Sequence, residues 1–236
     1  MPDLILALDV LDLLSASSVV QATSDSIDAI KLGYPLVLAE GIGIAKTLSD
    51  ISGLPLIADF KVADIPNTNR LIAEQVFAAG FSSIICHGFP GADAIMACTD
   101  VAHDAGGKCF VVCEMSHPGA STFYHKELAE KICWIKHGEI EGETTIHYGN
   151  IAEVIAEMAM DVGADGIIAP ATRPERVQIL RNIVQNALIY SPGIGTQGGD
   201  ASKIANLVDG IIVGRSIYEA KDPKAAAKKY APFRTQ

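Results

Sequence analysis

Eight short apolar runs, separated by stretches of helical pattern, constrain this chain's fold more than anything else in it. The runs are Leu4–Leu8, Ala29–Gly33, Leu54–Ala58, Phe81–His87, Lys108–Met115, Gly166–Ala169, Ala187–Ser191 and Gly210–Val213. Most are apolar without strict alternation. A strand buried on both faces reads this way, and parallel sheets covered by helices are built from such strands. Between the runs lie helical patterns at Leu13–Ser24, Gly41–Ser52, Arg70–Ala79, Ala92–Ala105, Asn150–Val162, Pro174–Val184 and Ala201–Leu207, with terminal pieces at Ser216–Lys221 and Lys224–Tyr230. Eight βα units in 236 residues match an α/β chain folded as a single (β/α)8 TIM barrel. The competing architecture is a doubly wound open sheet. It would normally carry a Gly-rich phosphate loop after its first strand, where this chain has Asp9-Val10-Leu11-Asp12. One domain is expected, with an insertion at residues 125–149 between the fifth strand and its main helix.

The bulk composition removes several classes of partner. A net charge of -10 and a pI near 5.0 argue against nucleic acid and against an anionic membrane surface. No apolar stretch approaches the roughly 20 residues that span a bilayer. Met1 leads almost at once into an apolar strand without a basic leader, so no signal peptide is expected. Five Cys without a CxxC pair fit reduced thiols in the cytoplasm.

In a barrel the active site lies at the C-terminal ends of the strands. The third run continues directly into Asp59-Phe60-Lys61-Val62-Ala63-Asp64-Ile65-Pro66-Asn67-Thr68. On extended backbone Asp59 and Lys61 point to the same side. Burying both on one face is costly unless they are paired or used. The other strand ends add Asp9, Lys31, His87, Met115 and Ser116, the Pro192–Gly199 stretch, and Gly214 with Arg215. Two Lys and three Asp (Asp9, Asp59, Asp64) are expected to converge on one mouth. A structural ion pair requires fewer charges than this.

The last two loops read as a phosphate site. Ser191-Pro192-Gly193-Ile194-Gly195-Thr196-Gln197-Gly198-Gly199 allows close backbone approach, and Gly214-Arg215 opens a helix, so backbone N–H groups and a guanidinium face one point. No metal site is expected. His125, His137 and His147 with Cys133 match no standard zinc spacing. Arg173-Pro174-Glu175-Arg176 reads as a helix start with a charged outer face.

With these residues assembled, the chain resembles the orotidine 5'-monophosphate decarboxylases, most closely their archaeal branch. The likeness runs from Leu6-Ala7-Leu8-Asp9 to Gly214-Arg215-Ser216-Ile217-Tyr218. It is carried by DFKVADIPNT at Asp59–Thr68, MSHPGA at Met115–Ala120, Ala171-Thr172-Arg173-Pro174, SPGIGTQGGD at Ser191–Asp200 and IIVGRSIY at Ile211–Tyr218. The resemblance implies a carboxy-lyase that converts orotidine 5'-phosphate to UMP without a cofactor, the last step of de novo pyrimidine synthesis. It gives Lys61 the role of proton donor to C6 and sets Asp59 beside the leaving carboxylate, with Lys31 and Asp64 completing a Lys-Asp-Lys-Asp array. Asp9 and Lys31 match ribose contacts, Ser116 a pyrimidine contact, Pro192 and Gln197 a mobile loop, and Gln197, Gly214 and Arg215 the phosphate binders. It also implies a homodimer in which Asp64, Ile65 and Thr68 reach the neighbouring subunit's site. Related barrels that act on sugar phosphates with magnesium share Asp59, Lys61 and Asp64, and a silent nucleotide-binding barrel is the reading outside enzymes. Ile65-Pro66-Asn67-Thr68 and MSHPGA favour the decarboxylase.

Overall fold

The computed structural model describes residues 2–128, 135, 136, 139, 140 and 149–233. Eight parallel strands close into a barrel in sequential order. They are Asp3–Leu8, Ala29–Gly33, Leu56–Val62, Ser83–His87, Lys108–Val112, Gly166–Ile168, Leu188–Pro192 and Gly210–Val213, and the first pairs with the eighth through Asp3↔Gly210 to Leu6↔Val213. The TIM barrel expected from the eight runs is therefore the observed fold. Among the described residues, no helix is long and apolar enough to cross a membrane.

Strand alternation sorts the apolar residues into two sets. Ile5, Ala7, Ala29, Ile57, Ile85, Phe110, Val112, Ile168 and Ile212 fill the barrel interior. Leu4, Leu6, Leu8, Ile30, Leu32, Ile84, Val111, Ile167 and Ile211 face outward and pack under the helices. At the lower end Phe110 stacks on Tyr190 with ring centroids 4.3 Å apart. Both faces are thus dry, which is why the runs show so little polar alternation.

The interior column changes character at its upper end. Two residues beyond Ala7 comes Asp9, beyond Ala29 comes Lys31, beyond Ile57 comes Asp59, and beyond Val112 comes Glu114. The same inward periodicity that builds the apolar plug therefore caps it with a charged layer.

Four of the differences from the sequence expectation bear on the site. The third strand begins at Leu56 and runs on to Val62, so the charged residues lie within it. The following helix starts at Pro66, four residues before Arg70, because Pro at the first helical position needs no N–H partner. The fifth strand ends at Val112, leaving Met115 and Ser116 on a loop. A helix at Tyr34–Glu40 was not expected. Its apolar Leu36-Val37-Leu38 carries no periodic signal, but Pro35 in its first turn is a start marker.

The segment after MSHPGA leaves the barrel through a turn at Pro118–Ala120 and a short helix at Ser121–Tyr124. Its two ends then meet: Glu127–Leu128 pairs antiparallel with Gly149–Asn150, and Asn150 caps the helix Ile151–Asp161 by accepting from Glu153 N.

Candidate active site

The site is organised by an irregularity in the third strand. Ala58 pairs with Ile84 and Val62 with Cys86, so four steps on the third strand oppose two on the fourth. The surplus falls on Asp59-Phe60-Lys61. Lys61 has φ +47, the left-handed region that residues with a Cβ seldom occupy. Bulges of this kind re-aim side chains at strand ends. Phe60 turns outward and packs between Tyr34 and Phe81, with ring centroids at 5.1 and 5.7 Å. Its anchoring holds Asp59 and Lys61 toward the mouth.

There Asp59 serves two cations. Its Oδ2 lies 2.5 Å from Lys31 Nζ and its Oδ1 2.6 Å from Lys61 Nζ. Burial alone would raise this carboxyl, but Lys31 and Lys61 outweigh it and hold Asp59 at about 2. Burial likewise disfavours the Lys31 ammonium, yet Asp59 and then Asp9 keep its pKa above the usual lysine value. Gly33 makes room for Asp9, since a Cβ there would lie 2.9 Å from Asp9 Oδ1. At the end of the fourth strand, burial and then Lys61 lower the pKa of His87. The Lys31 ammonium is buried within the layer, while that of Lys61 is about one-third exposed to the cavity.

A cavity of about 640 Å³ opens above this layer. Sites for a small organic ligand commonly fall between about 300 and 1,000 Å³. Asp9, Lys31, Asp59 and Lys61 line one side, Met115 and Ser116 another, and Pro192, Gln197, Gly214 and Arg215 the far rim. Ser116 Oγ donates to Gln197 Oε1 at 2.8 Å, bridging the second side to the rim. Gly193 and Gly195 have φ of +103 and +75, which suit the tight Pro192–Gly199 turn. A Cβ on Gly195 would also strike Ser216 Oγ at 2.3 Å. That Ser216 hydroxyl fastens the turn, accepting from Thr196 N at 3.1 Å. The helix opened by Arg215 is only Arg215–Tyr218, so its contribution is a few free backbone N–H groups rather than a macrodipole. Arg215 is exposed and makes no ion pair among the described residues.

Asp64, Ile65 and Thr68 do not join this cluster within one chain. None lines the cavity. Asp64 and Ile65 are exposed, on the loop that leaves Val62 for the helix at Pro66. The expected convergence of three Asp on a single mouth is therefore corrected to two, Asp9 and Asp59. The kink at Lys61 directs the continuing chain outward. Buried Asn69 fixes that loop: its Oδ1 accepts from Asp64 N at 3.0 Å and its Nδ2 donates to Ala94 O at 2.9 Å.

Three groups were not assigned to the site from the sequence. Tyr218 lines the cavity beside Arg215. Glu114 reaches it from the end of the fifth strand while fully buried. Arg173 and Arg176, expected on an outer face, point inward onto Glu114 at 2.7 and 3.0 Å. Burial would raise the Glu114 carboxyl, but hydrogen bonds from His125, Arg176 and Arg173 bring it below the usual range. Of the groups weighed for zinc, His125 is thus on Glu114 at 2.8 Å, and Cys133, His137 and His147 lie outside the described residues.

Comparison with known proteins places the chain in a family. A model of the family described as "Orotidine 5'-phosphate decarboxylase / HUMPS family" matches residues 2–230. The chain belongs to this family. Among curated relatives, the orotidine 5'-phosphate decarboxylase of Methanosarcina barkeri is 48% identical over 97% of this chain and 92% of its own length. That of Methanocaldococcus jannaschii is 42% identical over 98% and 97%. A crystal structure of orotidine 5'-monophosphate decarboxylase from Methanocaldococcus jannaschii, complexed with the inhibitor BMP, superposes with a TM-score of 0.86 at 40% identity, covering all of both chains. The enzyme from Pyrococcus horikoshii gives a TM-score of 0.81 at 38% identity over 98% of each chain. Within the orotidine 5'-phosphate decarboxylase / HUMPS family, then, these relatives are all named as the decarboxylase.

Proposed function

We propose that this protein decarboxylates orotidine 5'-phosphate to UMP, without a metal or organic cofactor, using Lys61 as the proton donor. The observation that carries the reading is the Lys31–Asp59–Lys61 array at 2.5 and 2.6 Å at the foot of the cavity. Family membership with relatives named for this activity supports the choice of reaction.

The chemistry needs such an array. The bond from C6 to its carboxylate breaks, the electron pair stays on C6, and CO2 departs. The resulting carbanion has little resonance relief. A fixed ammonium beside C6 stabilises the developing charge electrostatically and then delivers its proton to the same carbon. Lys61 regains a proton from solvent through its partly exposed position. Asp59 orients Lys61 and lies where it would repel the substrate carboxylate. Both oxygens of Asp59 are already engaged by ammonium groups, which leaves it poorly suited to hold a divalent cation as the sugar-phosphate relatives would require. Asp9 and Lys31 bind the ribose, Ser116 the pyrimidine, and Pro192 belongs to the loop that closes over the ligand. Gln197, Gly214 and Arg215 take the phosphate. Phosphate binding far from C6 supplies energy that closes the loop and raises the rate of the chemical step. An acidic protein thereby attracts a polyanion through a local set of cations.

The working form in this reading is a cytoplasmic homodimer of one-domain chains, each carrying its 125–149 insertion. Leu14, Leu38, Ile65, Leu71 and Phe89 are all more than half exposed. They follow the first, second, third and fourth strands, so they share one half of the barrel rim. A rim of large exposed apolar groups suits a protein–protein contact. Asp64, Ile65 and Thr68 lie on the same half and reach the partner's cavity in the dimer.

The test is the loss of orotidine 5'-phosphate absorbance on adding EDTA-treated protein. Turnover is the expected result, and its absence, or its dependence on added magnesium, overturns the reading.

A further inference from the structure

We propose that Glu114 is a positioning residue that sets the pyrimidine-contacting segment Met115–Ser116 through Arg173. This rests on the reading above that Ser116 meets the base. Glu114 follows the interior residue Val112 and is fully buried, yet it stays ionised because three donors converge on it. Its Oε1 accepts from Arg173 Nε at 2.7 Å and from His125 Nε2 at 2.8 Å, while Oε2 accepts from Arg176 Nε at 3.0 Å. Arg173 then turns the other edge of its guanidinium to the Met115 carbonyl, donating from Nη2. The neighbouring Thr172 Oγ1 donates to the Ser116 carbonyl at 3.0 Å. Two consecutive carbonyls of the base segment are thus held from the end of the sixth strand. Glu114 fixes the orientation of the planar fork that holds the first of them.

The same network fastens the insertion. Arg176 also donates to Glu153 Oε1 and Asn150 Oδ1, both at 2.8 Å. His125 stands two residues before Glu127–Leu128, and Asn150 belongs to the Gly149–Asn150 strand that pairs with it. The insertion's base therefore closes the outer side of the cluster whose inner side positions the pyrimidine contact.

Glu114→Gln tests this with little change of volume. One of the two acceptor oxygens becomes an NH2 and the negative charge is lost, so one neutral oxygen is left for three donors and the charge-assisted hold on the Arg173 fork weakens in either amide orientation. Isothermal titration compares UMP with ribose 5-phosphate, which keeps the phosphate and ribose and lacks the base. We expect UMP affinity to fall about tenfold or more, with ribose 5-phosphate affinity changed by about twofold or less. Equal losses on both ligands, or unchanged UMP binding, overturn the proposal, since a purely structural role gives no such split. Should Glu114→Gln fail to fold, Arg173→Lys keeps a cation beside Glu114 but lacks the fork that joins it to the Met115 carbonyl, and must show the same split. Wild-type protein run alongside separates the two levels: failure of wild type to bind UMP or to turn over substrate refutes the functional reading itself, whereas a normal wild type without the split refutes only the role of Glu114.

Discussion

Asp59→Asn removes the single anion shared by Lys31 and Lys61, and the structure fixes what that should do to stability. The two cations are not equivalent. The Lys61 side chain is 36% exposed and swings to water, whereas that of Lys31 is 6% exposed and cannot. Lys31 retains the attraction of Asp9 and, more weakly, of Tyr218. Stranding one member of a buried pair costs about 3–5 kcal/mol, and Asp9 puts the expectation at the low end. The titration of Asp59 gives a second route. Its carboxyl drops from an ordinary 3.8 to about 2. At about 1.4 kcal/mol per pH unit this corresponds to about 2.5 kcal/mol. The folded value lies below the unfolded one, so the contribution is full above about pH 4 and is lost as pH falls through about 2. Urea unfolding should therefore show wild type about 2.5–3 kcal/mol more stable than Asp59→Asn at pH 7, with the gap narrowing by about 1 kcal/mol between pH 6 and pH 3. A gap below about 1 kcal/mol at pH 7, or one that does not narrow in acid, refutes the claim that Asp59 is the buried keystone of the array.

Other outcomes follow from the same geometry. In the proposed reading Arg215→Ala removes a charge-assisted contact to phosphate, worth about 1.5–3 kcal/mol, and should lower kcat/KM by about 10- to 150-fold, while free phosphate loses its competition with substrate. Asn69→Leu breaks the two bonds that tie the Asp64 loop to the helix Ala92–Asp104; thermal unfolding should report a loss of about 1–3 kcal/mol, with activity reduced more than in an exposed control such as Lys46→Ala. If the proposed dimer shares its sites, mixing Lys61→Ala and Asp64→Asn chains should restore activity lost in each alone, because one site of each mixed dimer would be intact; no recovery with subunit exchange verified contradicts a shared site.

Much of this site is legible in the sequence because it follows strand periodicity. Asp9, Lys31 and Asp59 each come two residues after a small or aliphatic interior residue, so the rule that buries Ala7, Ala29 and Ile57 also aims the charges. The register slip at Lys61 is not local. It depends on how the third strand meets the fourth, through Ala58↔Ile84 and Val62↔Cys86, and no propensity of Phe60 or Lys61 announces it. Glu114 and Arg173 are 59 positions apart and meet only because the fifth and sixth strands are neighbours in the closed barrel. A sign was nonetheless present: Arg173 and Arg176, three apart around a helix start, share a face, and an acid stands two residues past Val112. Asp64 illustrates the opposite limit. Its sequence context marks it as part of the site, but in one chain it faces away from the cavity, and its proposed role becomes visible only when a second chain is considered.

The central claim is that the Lys61 ammonium does the chemistry and that no metal shares the work. EDTA-treated wild type and Lys61→Ala, assayed side by side for decarboxylation of orotidine 5'-phosphate and for UMP binding, test it most directly. General-acid loss alone typically costs about 10²–10⁴ in rate, and lost electrostatic stabilisation about 10²–10³ more. Wild type should turn over fully in chelator, while Lys61→Ala should bind UMP within about tenfold of wild type and fall at least about 10⁴-fold in rate. A Lys61→Ala protein that keeps activity within about tenfold, or a wild type that stops in EDTA and recovers with magnesium, would contradict the account.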